Sequence, residues 1–209
     1  MHPMMTNLQG KFIVFDGGEG CGKTSQAQLL KDVLEKAGLR PMLVRDPGST
    51  RIGEMIRAIL LDPDHDEMSM RCEMLLYMAA RAQLVAEIIL PALTAGQVVI
   101  SDRFVSSTLS YQLGGDGLTA ADIRATADIA VKGRWPDVTL ILDMPIDRSI
   151  SRVKRAKDRI EQRSMEYHAM VRKNYLDQAA QMPDRYHVIA ADRSLEQVHA
   201  DVLAVLSKR

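Results

Sequence analysis

The chain has 209 residues, enough for one domain with a substantial core. Its 27 basic and 27 acidic residues give no net charge, which argues against an overall attraction to nucleic acid or to an acidic membrane. Two cysteines are too few for a disulfide framework or a zinc site. This low number predicts that the protein is located in the reducing cytoplasm. We expect a single domain over residues 1–209, with residues 1–9 as a flexible leader and no segment that enters a membrane.

Strands and helices are predicted to alternate along the chain. Buried strands are predicted at Phe12–Phe15, Pro41–Val44, Val98–Ile100, Thr139–Leu142 and His187–Ala190. Helical spacing is found at Thr24–Ala37, Ile52–Leu61, Arg71–Leu93, Ala120–Val131, Arg163–Gln181 and Leu195–Leu206. This order predicts an α/β fold of three layers, in which a parallel five-stranded sheet is flanked by helices.

A glycine-rich segment, FDGGEGCGKTSQ, follows the first predicted strand and opens the first predicted helix. Four residues separate Gly17 from Gly22-Lys23-Thr24, which is the spacing and context of a phosphate-binding loop. Glycines let successive N–H groups converge on phosphate oxygens, while Lys23 reaches the terminal phosphates and the Thr24 hydroxyl binds magnesium. The residues predicted to surround the phosphates of a bound nucleotide are Gly17, Gly18, Glu19, Gly20, Cys21, Gly22, Lys23, Thr24 and Ser25. Within this loop we expect the Cys21 side chain to fill space rather than to react.

Charged residues also follow the second and third predicted strands, at the edge where ligands bind in open α/β sheets. Arg45 and Pro47 lie in the string RDPGST, and Asp102 and Arg103 lie in the string SDRF. We expect Asp102 to hold magnesium or its water, and Arg103 to bind an acceptor phosphate through paired hydrogen bonds. A salt bridge on a solvated loop is the alternative for each arginine.

Three classes of protein could carry this phosphate loop. A regulatory GTPase is disfavoured because the strings Asn-Lys-x-Asp and Asp-x-x-Gly do not occur in the chain. A small-molecule kinase needs a second anion site facing the first, which the arginines after the strands could supply. The third class is a regulatory protein that binds a nucleotide but catalyses no reaction.

Five strings together carry a family resemblance: FDGGEGCGKTSQ, RDPGST, LLYMAARAQL, SDRFVSSTLSYQ and RAKDRIEQ. In this order and at these separations they resemble bacterial thymidylate kinase, from about Lys11 to the C-terminus. The resemblance implies a nucleoside monophosphate kinase fold, phosphoryl transfer from ATP to dTMP, and a homodimer. A kinase for another nucleoside monophosphate is the nearest alternative.

The resemblance also implies how dTMP is bound. Glu19 matches the carboxylate that contacts the 3′-hydroxyl, and Tyr77 matches an aromatic residue, often phenylalanine, that stacks on thymine. Arg81 matches the arginine that donates to a thymine carbonyl, Thr108 matches a polar position at the pyrimidine edge, and Tyr111 matches the residue that crowds the sugar 2′ position. The implied substrate contacts are Glu19, Arg45, Pro47, Tyr77, Arg81, Arg103, Thr108, Tyr111 and Gln112.

The chain departs from the family pattern in the phosphate loop, where Gly20 stands at a position that is arginine in some members. Positive charge is expected instead from a basic lid over residues 150–162, which contains RVKRAKDR. We predict that Arg155 or Arg159 stabilises the transition state. The catalytic set is thus Lys23, Asp102, Arg103, Arg155 and Arg159. Asp46 and Ser49 also replace a glutamate and a glycine that are more frequent in the family, so a small local adjustment is expected.

Overall fold

Five parallel strands form the central sheet of the computed structural model, which describes residues 7–152 and 158–208. The strands are β1 (Phe12–Gly17), β2 (Pro41–Arg45), β3 (Val98–Asp102), β4 (Val138–Asp143) and β5 (Tyr186–Ala190). Their order across the sheet is β2-β3-β1-β4-β5. All five predicted strands and the predicted fold class are confirmed, and each strand is one or two residues longer than predicted.

Nine α-helices connect or flank the strands within the described residues. They are α1 (Lys23–Lys36), α2 (Arg51–Leu61), α3 (Met70–Leu84), α4 (Leu90–Thr94), α5 (Val105–Tyr111), α6 (Ala120–Val131), α7 (Ile146–Ser151), α8 (Met165–Gln181) and α9 (Leu195–Leu206). A π-helical turn, Val85–Ile89, joins α3 to α4, and a 3-10 turn, Gly115–Gly117, precedes α6.

Both faces of the sheet are covered, as the continuous apolar strands predict. Ile13 and Phe15 point to one face, where they join a core cluster with α1 and α9. Phe12 and Val14 point to the other face, where they pack with α3, the π-helical turn and α6. Because successive side chains of a strand alternate between faces, one short apolar run supplies both cores. Leu8 is also buried in the first cluster, so the described packing begins inside the expected leader.

The single helix predicted over Arg71–Leu93 is interrupted by the π-helical turn. Pro91 has no N–H to donate, and its ring crowds the carbonyl four residues earlier. The helix before it therefore adopts the wider hydrogen-bonding pattern of a π-helical turn. By length and apolar composition alone, Met70–Thr94 could cross a membrane. The same stretch packs in the core through Met74 and Met78, and it also buries the charged Glu73. These are the features of a core helix.

Helix α5 lies outside the predicted set because all seven of its residues are buried. A helix that is buried on every side has no polar face, so it lacks the 3.6-residue period by which amphipathic helices are recognised. It packs between β1 and α8 and carries two residues of the predicted substrate site, Thr108 and Tyr111.

Candidate active site

The phosphate loop joins β1 to α1 and has the backbone conformation that its glycines predict. Gly17 has φ of 133°, and a Cβ there would lie 2.4 Å from the carbonyl oxygen of Leu142. Gly22 is the N-cap of α1, with φ of 93°. Lys23 Nζ donates to the carbonyls of Gly18 at 2.6 Å and Gly17 at 3.3 Å, so the ammonium group is held inside the loop.

Cys21 contributes to this loop as a small buried group. Its Sγ donates to the carbonyl of Gly18 at 3.0 Å. Burial raises the pKa of the Cys21 thiol, so the sulfur is protonated at neutral pH. The side chain therefore has the surroundings of a space-filling residue rather than of a nucleophile.

Two oxygen groups meet where α1 begins and β3 ends. The Thr24 hydroxyl donates to Asp102 Oδ2 at 2.6 Å. Hydroxyl, carboxylate and water oxygens are the ligands that magnesium prefers. Since the described residues contain no cluster of three or more histidine, cysteine or acidic side chains arranged for a metal, an ion here would take its remaining ligands from phosphates and water.

Arg103 lies at the centre of the site, with a positive φ of 71° just beyond β3. Its guanidinium donates to the Gly17 carbonyl at 2.9 Å, to Tyr111 Oη at 3.3 Å and to the Glu19 carboxylate. Burial lowers the pKa of the guanidinium, but Glu19, Tyr111, Tyr175 and Asp16 together outweigh it and hold that pKa above its ordinary value. The arginine thus joins the phosphate loop to α5 and remains a permanent cation.

Asp16, which was not predicted as a site residue, lies on the buried side of Arg103 and stabilises its guanidinium group. It is fully buried and accepts hydrogen bonds from Ser107 and Tyr175, both at 2.6 Å, and it lies 3.5 Å from the guanidinium. Ser107 and Tyr175 also accept from Arg103 Nη1 at 3.1 Å each. A charged residue at the end of an apolar strand is the sequence signal that could have identified it.

Arg81 is almost completely buried and is held in one orientation. Nε donates to Asp46 Oδ2 at 2.6 Å, Nη1 contacts Thr108 Oγ1 and Met78 Sδ at 3.1 Å each, and Nη2 donates to the Phe104 carbonyl at 3.1 Å. A guanidinium has five N–H groups, so one of those on Nη2 remains for a ligand. Asp46 Oδ1 has no partner among the described residues, and burial raises the pKa of this carboxyl group.

Two more arginines lie near the site, on the side of β2. Arg45 pairs with Glu54 through two 3.0 Å hydrogen bonds. Arg57 of α2, which the sequence analysis did not single out, donates to the carbonyl of Pro47 at 3.0 Å. Burial and the nearby Arg45 lower the pKa of Arg57. The signal for Arg57 was its place on the first helix after the RDPGST string.

The predicted lid arginines have different outcomes. Arg155 lies outside the described residues. Arg159 is buried, donates to the Leu60 carbonyl at 3.0 Å and pairs with Glu73, which also accepts from Arg163 at 2.7 Å. Its guanidinium is therefore held between Leu60 of α2 and Glu73 of α3, where the carboxylate stabilises the buried cation, and its catalytic role stays a prediction.

A cleft of about 530 Å³ brings most of the predicted residues together. Those that line it are Glu19, Gly20, Gly22, Lys23, Thr24, Ser25, Arg45, Pro47, Tyr77, Arg81, Asp102, Arg103, Thr108, Tyr111 and Gln112. Arg57 and Arg152 also face it. Gly17, Gly18 and Cys21 line a separate cavity of about 30 Å³ beside β4. The cleft joins a phosphate loop to a second anion site, an arrangement suited to phosphoryl transfer.

Comparison with known proteins identifies the family. A family model described as thymidylate kinase matches residues 15–202. Thymidylate kinase of Pelotomaculum thermopropionicum is 46% identical over 199 residues, 94% of this chain and 92% of that protein. Thymidylate kinase of Neisseria gonorrhoeae is 41% identical over 201 residues, 95% of this chain and 97% of that protein.

Similarity to a solved structure agrees with these matches. The crystal structure of thymidylate kinase from Ehrlichia chaffeensis superposes with a TM-score of 0.78 at 32% sequence identity. The match covers 95% of this chain and 98% of that one, so it extends over the sheet and the cleft alike. The chain therefore belongs to the thymidylate kinase family.

Proposed function

We propose that the protein transfers the γ-phosphoryl group of ATP to dTMP, giving dTDP and ADP. The observation that carries this proposal is the cleft in which the phosphate loop, with Lys23, faces Arg103. One anion site is suited to a nucleoside triphosphate, and the other is suited to the phosphate that attacks it.

In this proposal the chain acts by positioning and by neutralising charge. The loop N–H groups and Lys23 bind the phosphates of ATP, while Arg103 holds the acceptor phosphate in line. Thr24 and Asp102 would hold Mg²⁺, which neutralises developing charge between the phosphates. Because a phosphate monoester is largely ionised at neutral pH, the attacking oxygen needs no dedicated base.

The acceptor base is proposed to bind at α3 and α5. Tyr77 would stack on the ring, and the remaining N–H of Arg81 would donate to a carbonyl of the pyrimidine. Tyr111 is held against Glu19 and Arg103, so its ring can form a wall beside the sugar 2′ position. These roles favour a deoxyribonucleotide that carries carbonyl groups on its base.

Arg155 and Arg152 are the proposed transition-state cations of the lid. Arg152 is exposed and lines the cleft, whereas Arg159 is engaged with Glu73. An arginine supplied in this way contributes about 10³-fold or more to turnover in other phosphoryl-transfer enzymes. Arg159 then serves to anchor the C-terminal end of the lid segment.

We also propose that the protein is a cytoplasmic homodimer and that it has no nucleic acid or membrane partner. Exposed apolar side chains lie on neighbouring helices, with Ile52, Met55 and Ile59 on α2 and Leu75 on α3. Such a surface is suited to a symmetric contact with a second copy. Sedimentation of the protein and of Met55→Glu tests this contact, since a buried charge would dissociate the dimer.

The enzyme proposal is tested by measuring ADP release from ATP and magnesium with dTMP, dUMP, dCMP and UMP in turn. Strong dependence on dTMP, lost in Lys23→Ala, is the expected result. Preference for a different monophosphate would identify another kinase of the same class. ATP binding without release of ADP under any of these conditions would instead indicate a regulatory nucleotide-binding protein.

A further inference from the structure

We propose that Glu73 is a positioning residue that fixes the side-chain amide of Gln112 for recognition of the acceptor base. This inference rests on the proposed dTMP kinase activity and concerns how thymine is distinguished from cytosine. Glu73 is fully buried in α3, one helical turn before Tyr77 and two turns before Arg81, so all three side chains lie along one face of the helix. It does not itself line the cleft among the described residues.

The contacts of Glu73 determine which way the Gln112 amide points. Gln112 Nε2 donates to Glu73 Oε1 at 2.7 Å. A carboxylate that is paired with two guanidinium groups only accepts hydrogen bonds, so the amide nitrogen must face it and the amide oxygen must face away. Oε1 of Gln112 accepts no hydrogen bond from the residues that the structure describes, and Gln112 lines the cleft.

The resulting pattern in the cleft is complementary to a thymine edge. That edge has an N3–H donor between two carbonyl acceptors. Gln112 offers an acceptor oxygen and its second N–H, while Arg81 offers its remaining N–H. Cytosine has an acceptor at N3 and a donor amino group, so the same array would oppose acceptor to acceptor and donor to donor. A flipped amide would remove this discrimination, and Glu73 prevents the flip.

Glu73 is itself held in place by cations from another part of the chain. Oε2 accepts from Arg159, in the C-terminal part of the lid segment, and, at 2.7 Å, from Arg163, which directly follows that segment. Arg159 is fixed in turn by the Leu60 carbonyl at 3.0 Å. This arrangement gives a matched control, because Arg163 shares the carboxylate with Gln112 but does not touch the amide.

The test compares steady-state kinetics with dTMP and dCMP for wild type, Glu73→Gln and Arg163→Met. Glu73→Gln is expected to raise KM for dTMP about tenfold, with a smaller change in kcat, and to lower the dTMP preference in kcat/KM by a similar factor. Arg163→Met is expected to leave that preference unchanged. In a Gln112→Ala background, the effect of Glu73→Gln on the preference should disappear, since the two residues act as one unit.

Equal loss of preference in Glu73→Gln and Arg163→Met would overturn the inference, because it would make Glu73 only an anchor for the lid. The same holds if the effect persists without Gln112. If Glu73→Gln does not fold, Glu73→Asp provides the same test, since it keeps the charge but withdraws it from the amide. Wild type that releases no ADP with dTMP would reject the proposed function, whereas active wild type with an unchanged variant rejects only the role of Glu73.

Discussion

The Thr24 hydroxyl donates to Asp102 Oδ2 at 2.6 Å, although 78 positions separate the two residues. This bond joins the first turn of α1 to the end of β3. Asp102→Asn would keep an acceptor for Thr24 but remove the charge from the proposed magnesium site. We expect turnover to fall about a hundredfold and the magnesium requirement to rise, as measured by titrating ADP release with the metal.

A carboxylate at the same edge of the sheet serves as the control for that experiment. Asp143 ends β4 and pairs with Arg172 at 2.7 Å, outside the 530 Å³ cleft. Asp143→Asn is expected to leave the magnesium requirement unchanged. An equal change in both variants would show that the charge of Asp102 has no special role.

Removal of Asp46 is expected to destabilise the fold strongly. Asp46 and Arg81 are 0% and 1% exposed, so Asp46→Ala leaves a buried guanidinium without its carboxylate. The free energy of unfolding should fall by about 3 to 5 kcal/mol, as measured by urea denaturation. The exposed pair of Lys173 and Asp177 is the control, and Asp177→Ala should cost no more than about 1 kcal/mol. Similar losses in both variants would contradict this account of the site.

The two lid arginines named from the sequence should separate into different phenotypes. Arg159→Met removes a partner of the buried Glu73, so a lower thermal unfolding midpoint is expected. Arg155→Met should instead lower turnover about a thousandfold and leave the midpoint unchanged. Measuring the thermal unfolding midpoint and kcat of both variants tests whether Arg159 is structural and Arg155 is catalytic. A normal midpoint together with lost turnover in Arg159→Met would return the catalytic role to Arg159.

Sequence patterns located the sheet and the phosphate loop because both depend on local features. Apolar runs mark the strands. The spacing from Gly17 to Lys23 identifies the phosphate loop because it falls between a predicted strand and a predicted helix. The carboxyl ends of β2 and β3 then bring Arg45 and Asp102 to one edge, where they are paired in register. Arg81 and Thr108 were identified only by resemblance, and the structure places them in direct contact at 3.1 Å.

The buried charges that support the site, Glu73 and Asp16, were not predicted from these patterns. Glu73 lies in a helix, where an acidic residue is usually solvated, and its arginine partner Arg159 is 86 positions away. Asp16 looks like part of the glycine loop until Ser107 and Tyr175 are brought around it. Burial of such charges depends on contacts distant in sequence, which neither composition nor periodicity reports.

Stability should fall on mild acidification because of His199. Its Nδ1 faces Gln26 Oε1 at 3.0 Å, and its buried Nε2 has no partner within the described residues. Burial lowers the pKa of His199, so the neutral ring is favoured in the folded state. The unfolded chain therefore binds more protons, and stability present above about pH 6.5 is lost as the pH falls toward the lowered pKa.

Urea denaturation at pH 7.5 and pH 5.5 measures this effect, with His199→Gln as the comparison. The variant should lose less stability than wild type between the two pH values, because it has no ring to protonate. An identical pH dependence in both proteins would assign the acid sensitivity to other groups.

The central claim is that the two anion sites of the cleft hold donor and acceptor for direct transfer between them. Phosphorus NMR of the enzyme with ATP, magnesium and dTMP tests this claim, because it distinguishes the phosphates of dTDP from inorganic phosphate. We predict that dTDP and ADP appear in equal amounts and that Arg103→Met loses both signals. Release of inorganic phosphate without dTDP, or transfer that survives in Arg103→Met, would contradict the account.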